Sequence, residues 1–269
     1  MPRIRSFVYS FVYSVALFSL ALIAFACVPK SSVAPRNLDE YFEQALEAFH
    51  NNDLARAQKY FDAIKLQYPA SKYADDAQYY LAEINVKKSE YILAAYNYNQ
   101  LRRTFPNSEF AKISAFKAAT STMKQSPKFD RDQDYTKQAI KSLSEFQALY
   151  PRDSLAVEAG KMITELRTKL AEHDFRTAEL YIKLQAPRAS IIYYDLVLNN
   201  FPDTEFAEPS FIGKCKMLLR LKRYQEAQET MRLYRRRFAE KGLYSADAKD
   251  IENSIALGLA SSSASSPRP

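Results

Sequence analysis

Residues 57–74 read AQKYFDAIKLQYPASKYA, and the order of side-chain sizes in this stretch decides the fold. Ala57 is followed four and seven places later by Phe61 and Ile64, a spacing that puts all three on one face of a helix. Tyr68-Pro69 then ends that helix, because proline lacks an amide proton and disfavours helical geometry in the residue before it. Ser71 offers an oxygen that could cap a helix beginning near Ala74.

The arrangement recurs along the chain. Ala94, Tyr98 and Leu101 precede Phe105-Pro106, with Ser108 and Ala111 after it; Ala139, Leu143 and Phe146 precede Tyr150-Pro151, with Asp153 and Ala156 after it. Ser190, Tyr194 and Val197 precede Phe201-Pro202, with Thr204 and Ala207 after it, and a degenerate fifth copy has Ala227, Met231, Tyr234 and Phe238 with Ala239 in place of proline. Between the prolines and Ala239 the intervals are 37, 45, 51 and 37 residues. Each copy predicts a helical hairpin that cannot bury its apolar face alone, so the copies must stack.

The small-x-x-x-aromatic spacing and trailing proline resemble the second helix of the tetratricopeptide repeat, whose period is about 34 residues. The resemblance implies an all-α fold, a right-handed solenoid of about five helix-turn-helix repeats over residues 38–252, divided at 38–69, 70–106, 107–151, 152–202 and 203–239. The chain has no Trp, which departs from the consensus. The longer third interval falls on the polar stretch Gln125–Asp134, read as a surface loop. The longest comes from Leu155–Leu184, which has no proline and only Gly160, and so predicts a first helix that is long, about 45 Å, or broken once. Residues 253–269, rich in serine, are expected to be disordered.

Composition agrees with a helical globular protein: 47% of the 269 residues are hydrophobic and only 4 are Gly, against 19 Tyr and 17 Phe. The net charge of +7 is spread along the chain without a nucleic-acid module around it, so no nucleic-acid partner is expected. Two cysteines cannot build a disulfide framework. Cys215 takes the small-residue place that Ala45 and Ala82 hold in earlier first helices and reads as a core thiol.

Cys27 has a different setting. Arg3 and Arg5 precede the uncharged run Phe7–Ala26, so residues 1–26 read as a signal peptide. Ala24-Phe25-Ala26-Cys27 resembles the lipobox of bacterial lipoproteins, which implies an acylated Cys27, although Leu usually stands where Ala24 does. Val28, in place of an aspartate that often signals inner-membrane retention, points to the outer membrane, and residues 27–37 read as a flexible tether. The alternative is an uncleaved anchor helix, since about 20 apolar residues can span a bilayer.

Signal peptide, lipid-site cysteine and five repeats in this register, with Asp130-Arg131-Asp132 and the stretch Leu170–Tyr181 leading to Phe201-Pro202-Asp203-Thr204, resemble the BamD family of outer-membrane β-barrel assembly lipoproteins over roughly residues 20–240. That resemblance implies a periplasmic scaffold whose C-terminal repeats dock the barrel-forming subunit BamA alongside other assembly lipoproteins. It also implies that the N-terminal repeats receive the C-terminal strand of unfolded outer-membrane barrel proteins. Groove positions of the first two repeats select Phe42, Leu46, Phe49, Tyr79, Glu83 and Val86 for that strand; the competing reading makes the aromatics core residues. Arg232, Arg235 and Arg236 are candidate partners for acidic residues of BamA, against a solvated helix face.

Nothing in the sequence supports catalysis. His50 and His173 are the only histidines and neither has a second ligand at metal spacing, so no metal and no cofactor beyond the lipid on Cys27 is expected. His173 reads as a structural histidine. No phosphate loop or nucleophile elbow occurs. The remaining functional alternatives are a repeat scaffold for the cell-wall and Tol machinery, which usually lacks the lipid-site cysteine, and an enzyme accessory or peptidoglycan hydrolase, which would require a buried acid in a cleft.

Overall fold

The computed structural model describes residues 37–239 and 241–264. The expected signal peptide, Cys27 and all of the expected tether but Asn37 lie outside them. Among the described residues there are eleven helices and no strand: α1 Leu38–His50, α2 Leu54–Gln67, α3 Ala74–Lys87, α4 Tyr91–Thr104, α5 Phe110–Met123, α6 Asp134–Leu149, α7 Ser154–Lys183, α8 Pro187–Asn200, α9 Ala207–Arg220, α10 Tyr224–Phe238 and α11 Ser245–Ala264. No described helix is long and apolar enough to cross a membrane.

The first ten helices form five antiparallel hairpins, each packed on the next. First helices α3 and α5 also touch directly, and no two second helices of the described residues are in comparable contact, so first helices line one side of the array and second helices the other. This is the helical-repeat solenoid expected from the proline register. All twelve face residues of the first four copies, from Ala57, Phe61 and Ile64 to Ser190, Tyr194 and Val197, are buried, as are Ala227, Met231 and Tyr234 of the fifth.

Reversal within a repeat uses no glycine. Asn52, Ser89, Gln185 and Lys222 take φ of 58°, 60°, 56° and 58°, and the amide after each bonds a carbonyl five residues back, as in Asp53 N to Ala48 O and Glu90 N to Asn85 O, closing the helix in a left-handed cap. Reversal between repeats has a fixed backbone pattern: the amides of Ser71, Ser108, Asp153 and Thr204 bond the aromatic carbonyl before the proline, and their own carbonyls accept from Ala74, Ala111, Ala156 and Ala207. Side-chain capping holds at only two of the four. Ser108 Oγ accepts from Phe110 N and Asp153 Oδ1 from Leu155 N, whereas Ser71 Oγ is buried without a partner and Thr204 Oγ1 donates back to the Phe201 carbonyl. The tight turn satisfies the amides through the backbone, which leaves the hydroxyls free to differ.

Helix α7 is unbroken over 30 residues. Ala156, Ala159 and Leu166 pack with Phe116, Leu143 and Phe146; Leu170 and Ala171 pack with Val197 and Phe201; and Ala178 joins Ile191, Tyr194 and Phe211, so one helix threads three successive core clusters. The insertion before α6 lies against this helix: His173 Nδ1 donates to the Phe129 carbonyl at 2.5 Å and Lys169 Nζ to Ser126 Oγ at 2.9 Å. His173 is therefore a bonded structural histidine.

The expected disorder of residues 253–269 is overturned as far as Ala264, where α11 ends. Ile251 and Ile255 are buried against the C-terminal core, and Gly258 comes so close to the Tyr224 ring that an added Cβ would stand 2.2 Å from Cε1. Ser261 and Ser262 hydroxyls bond the Gly258 and Leu259 carbonyls, so the serine run continues a helix whose apolar face is Ile251, Ile255 and Leu259. Residues 265–269 lie outside the described residues. Cys215 is fully buried in the same core, and burial pushes its thiol up to about 12.

Candidate functional site: the aromatic wall of the first helices

Phe42, Leu46 and Phe49 on α1 stand 37 residues before Tyr79, Glu83 and Val86 on α3. The same periodicity governs their stacking. Phe42 stacks on Tyr73 with ring centroids 4.1 Å apart, and Tyr79 stacks on Phe110 at 4.3 Å; Tyr73 and Phe110 each lie four residues after a repeat proline. Lys87 lies over the Phe49 ring at 5.1 Å and Lys117 over Tyr79 at 5.2 Å, in each case reaching from the next first helix. Tyr80 joins the two sets, meeting Phe49 edge-on at 5.1 Å and Tyr79 at 5.6 Å while stacking on the buried Phe61.

The six expected residues are thus brought to one side of the molecule, but their roles divide. Phe42, Leu46, Phe49, Tyr79 and Val86 are half-buried, packed on the core by one flank and open on the other, so neither the free-groove nor the core reading describes them alone. Glu83 is committed internally. It accepts from Lys117 Nζ at 2.5 Å and from the hydroxyl of buried Tyr98, and Lys117 also donates to the Tyr79 hydroxyl oxygen at 2.9 Å, tying α3, α4 and α5 together. Burial opposes the Lys117 charge, yet the bonds to Glu83 and Tyr79 outweigh it and hold the amine above its ordinary range. Burial and the Glu83 charge leave the Tyr79 phenol above its own. Glu83 thus braces the wall through Oε1, which accepts both bonds.

Tyr73, Tyr80, Phe110 and Lys117 belong to this wall and are not among the residues that the sequence singles out. A signal for two of them is present there: an aromatic recurs four places after Pro69, Pro106 and Pro202, as Tyr73, Phe110 and Phe206.

The arginines of α10 likewise differ from one another. Arg235 makes a two-pronged pair with Glu252 on α11, Nε to Oε1 at 2.8 Å and Nη2 to Oε2 at 2.9 Å, and Arg232 bonds Glu229 one turn back at 2.6 Å. Arg236 is exposed. Arg235 clamps the last helix, so the outward-facing candidates for a partner's acid are Arg232 and Arg236. Among the described residues no group of His, Cys, Asp and Glu could hold a metal.

Residues 36–233 match the family model described as YfiO, outer membrane lipoprotein. The chain is similar to the outer membrane protein assembly factor BamD of Vibrio cholerae, with 24% identity over 72% of this chain and 85% of that protein. It is also similar to the putative outer membrane protein assembly factor BamD of Aquifex aeolicus, with 28% identity over 71% of this chain and 63% of that protein. Among solved structures, a TPR repeats protein from Bacteroides fragilis aligns with TM-score 0.42 and 9% identity over 84% of this chain and all of that one.

Proposed function

Because the chain belongs to the YfiO family of outer membrane lipoproteins, we propose that it is an outer-membrane protein assembly factor, attached through lipid on Cys27 to the periplasmic face of the outer membrane, that binds proteins and carries out no covalent chemistry. The similarity to BamD proteins supports this reading. Its C-terminal repeats then dock a BamA-like barrel subunit, and its N-terminal repeats receive the terminal strand of unfolded barrel proteins.

The observation that carries the second role is the wall itself. Rings of α1 and α3 sit half-open in a row, held by stacking and edge contacts that fix their orientation before any ligand arrives. An extended apolar strand laid across them covers the exposed flanks of the rings, while the exposed amine of Lys87 suits a terminal carboxylate.

Phe49→Ala and Tyr79→Ala are expected to weaken binding of a labelled barrel-derived C-terminal peptide about tenfold each, with helicity by circular dichroism unchanged. Normal peptide affinity in both variants removes the strand-receiving role. Recovery of the chain from detergent-solubilised envelopes without a BamA-like subunit would instead favour a scaffold for another envelope system.

A further inference from the structure

A cleft of about 610 Å³ opens between the second helices α4 and α6, away from the aromatic wall, with first helix α5 as its floor. The floor is Ala111, Ala115 and Ala118, which lie at helical spacing on one face and present nothing beyond Cβ. One rim is formed by Arg102 and Arg103 on α4, and Lys141 stands on the other.

The rims are cationic and under-neutralised. Among the described residues the Arg102 side chain bonds the neutral Asn99 alone, at 3.3 Å, and neither Arg102 nor Arg103 reaches any described carboxylate within ion-pair distance. Lys141 meets Glu145 at 4.0 Å with both side chains largely in water, a contact that neutralises little. Residues 1–36 and 265–269 contain no aspartate or glutamate, so those segments supply no side-chain anion for the cleft.

We propose that this cleft is a docking site for an extended acidic segment of a partner protein, with small side chains against the alanine floor and carboxylates on Arg102 and Arg103. A floor without side chains lets a backbone approach closely, and a pair of guanidiniums matches carboxylates in fork geometry. Three cations against the single carboxylate of Glu145, over a concave floor of alanines, select a chain that is both acidic and slender. Docking here is separate from strand binding on the first helices, so either can fail while the other stands.

The test is fluorescence anisotropy with the full chain in detergent and a dye-labelled ten-residue peptide of alternating glutamate and alanine. Arg102→Gln with Arg103→Gln is expected to weaken binding at least tenfold, and Ala111→Leu, which fills the floor without altering charge, at least fivefold. Lys161→Gln with Lys183→Gln, an equal loss of charge on α7, should leave affinity within twofold, and the barrel-derived peptide should bind all variants normally. Equal weakening by the α7 pair, or unchanged binding after the α4 pair, overturns the proposal. If the α4 pair abolishes binding to phosphatidylglycerol vesicles but not to the peptide, the cleft faces lipid and the proposal falls as well.

Discussion

From α1 to α5 the seams between repeats carry stacked rings beside the Lys72–Asp39 and Lys117–Glu83 pairs, whereas from α7 to α11 ion pairs predominate, with one tilted ring contact between Phe175 and Phe206, over a larger core. Phe42 on Tyr73 and Tyr79 on Phe110 span the first two seams. At the other end Arg167 holds Asp203, Lys214 holds Asp195, Lys216 holds Asp247 and Arg235 holds Glu252. The C-terminal apolar cluster runs from Ala178 to Ile255 through five helices, while the N-terminal one stops at α3. Rings that serve as seam and surface at once suit a face that accepts and releases ligand. A capped core with paired charges suits a fixed platform.

The sharpest way to break this division is to damage one end and watch the other. Phe61 is fully buried and stacks on Tyr80, and Phe61→Ala is expected to cost about 4 kcal/mol. In a repeat array that loss stays near its origin because each repeat contacts only its neighbours. Hydrogen exchange should therefore accelerate in α1–α4 and stay unchanged in α9–α11. Uniform acceleration would show that α7, which threads three clusters, couples both ends into one cooperative unit.

Positions set by size and spacing are legible in the sequence alone: the three face residues ahead of each repeat proline are buried where helical periodicity puts them, although Tyr68 beside Pro69 is 38% exposed. Three things are not. Helix α11 hides behind a serine-rich composition, because Ile251, Ile255 and Leu259 gain their meaning only from the core that α9 and α10 present to them. Ser71 and Thr204 have the spacing of side-chain caps, but a hydroxyl three residues before a helix can point elsewhere when the turn already bonds the amides through its backbone. Glu83 and Arg235 have the positions of ligand-binding groups, yet their partners Lys117 and Glu252 lie 34 and 17 residues away and only packing brings them together.

The ion-pair end can be sharpened at Arg235. Arg235→Ala removes both bonds to Glu252 and is expected to cost about 1 kcal/mol, the upper range for a partly exposed pair. Exchange protection should fall in α11 and not in α8. Arg235→Glu combined with Glu252→Arg should restore most of the loss. If the reversed pair fails while Ile255→Ala alone detaches α11, the last helix is held by its apolar face and the charges are incidental.

The smallest effect separates the ends by pH. Asp76 on α3 has no cation within ion-pair distance among the described residues, and burial, then the charge of Asp75, raises its carboxyl from 3.8 to about 6. The buried carboxylate of the other end, Glu208, instead accepts from the Tyr234 hydroxyl at 3.0 Å and the Tyr244 amide at 3.1 Å. Below its unfolded value of 3.8 Asp76 is protonated whether folded or not and has no influence; between there and about 6 the unfolded chain loses the proton first, so the folded state loses ground as pH rises. Asp76→Asn removes that loss. The variant should match the parent at pH 3.5 and exceed it in denaturant stability above pH 6.5 by about 1 kcal/mol, solvent screening of a half-exposed group keeping the gain small. An equal gain at both pH values would mean that Asn improves the packing of α3 and that the carboxyl carries no charge penalty.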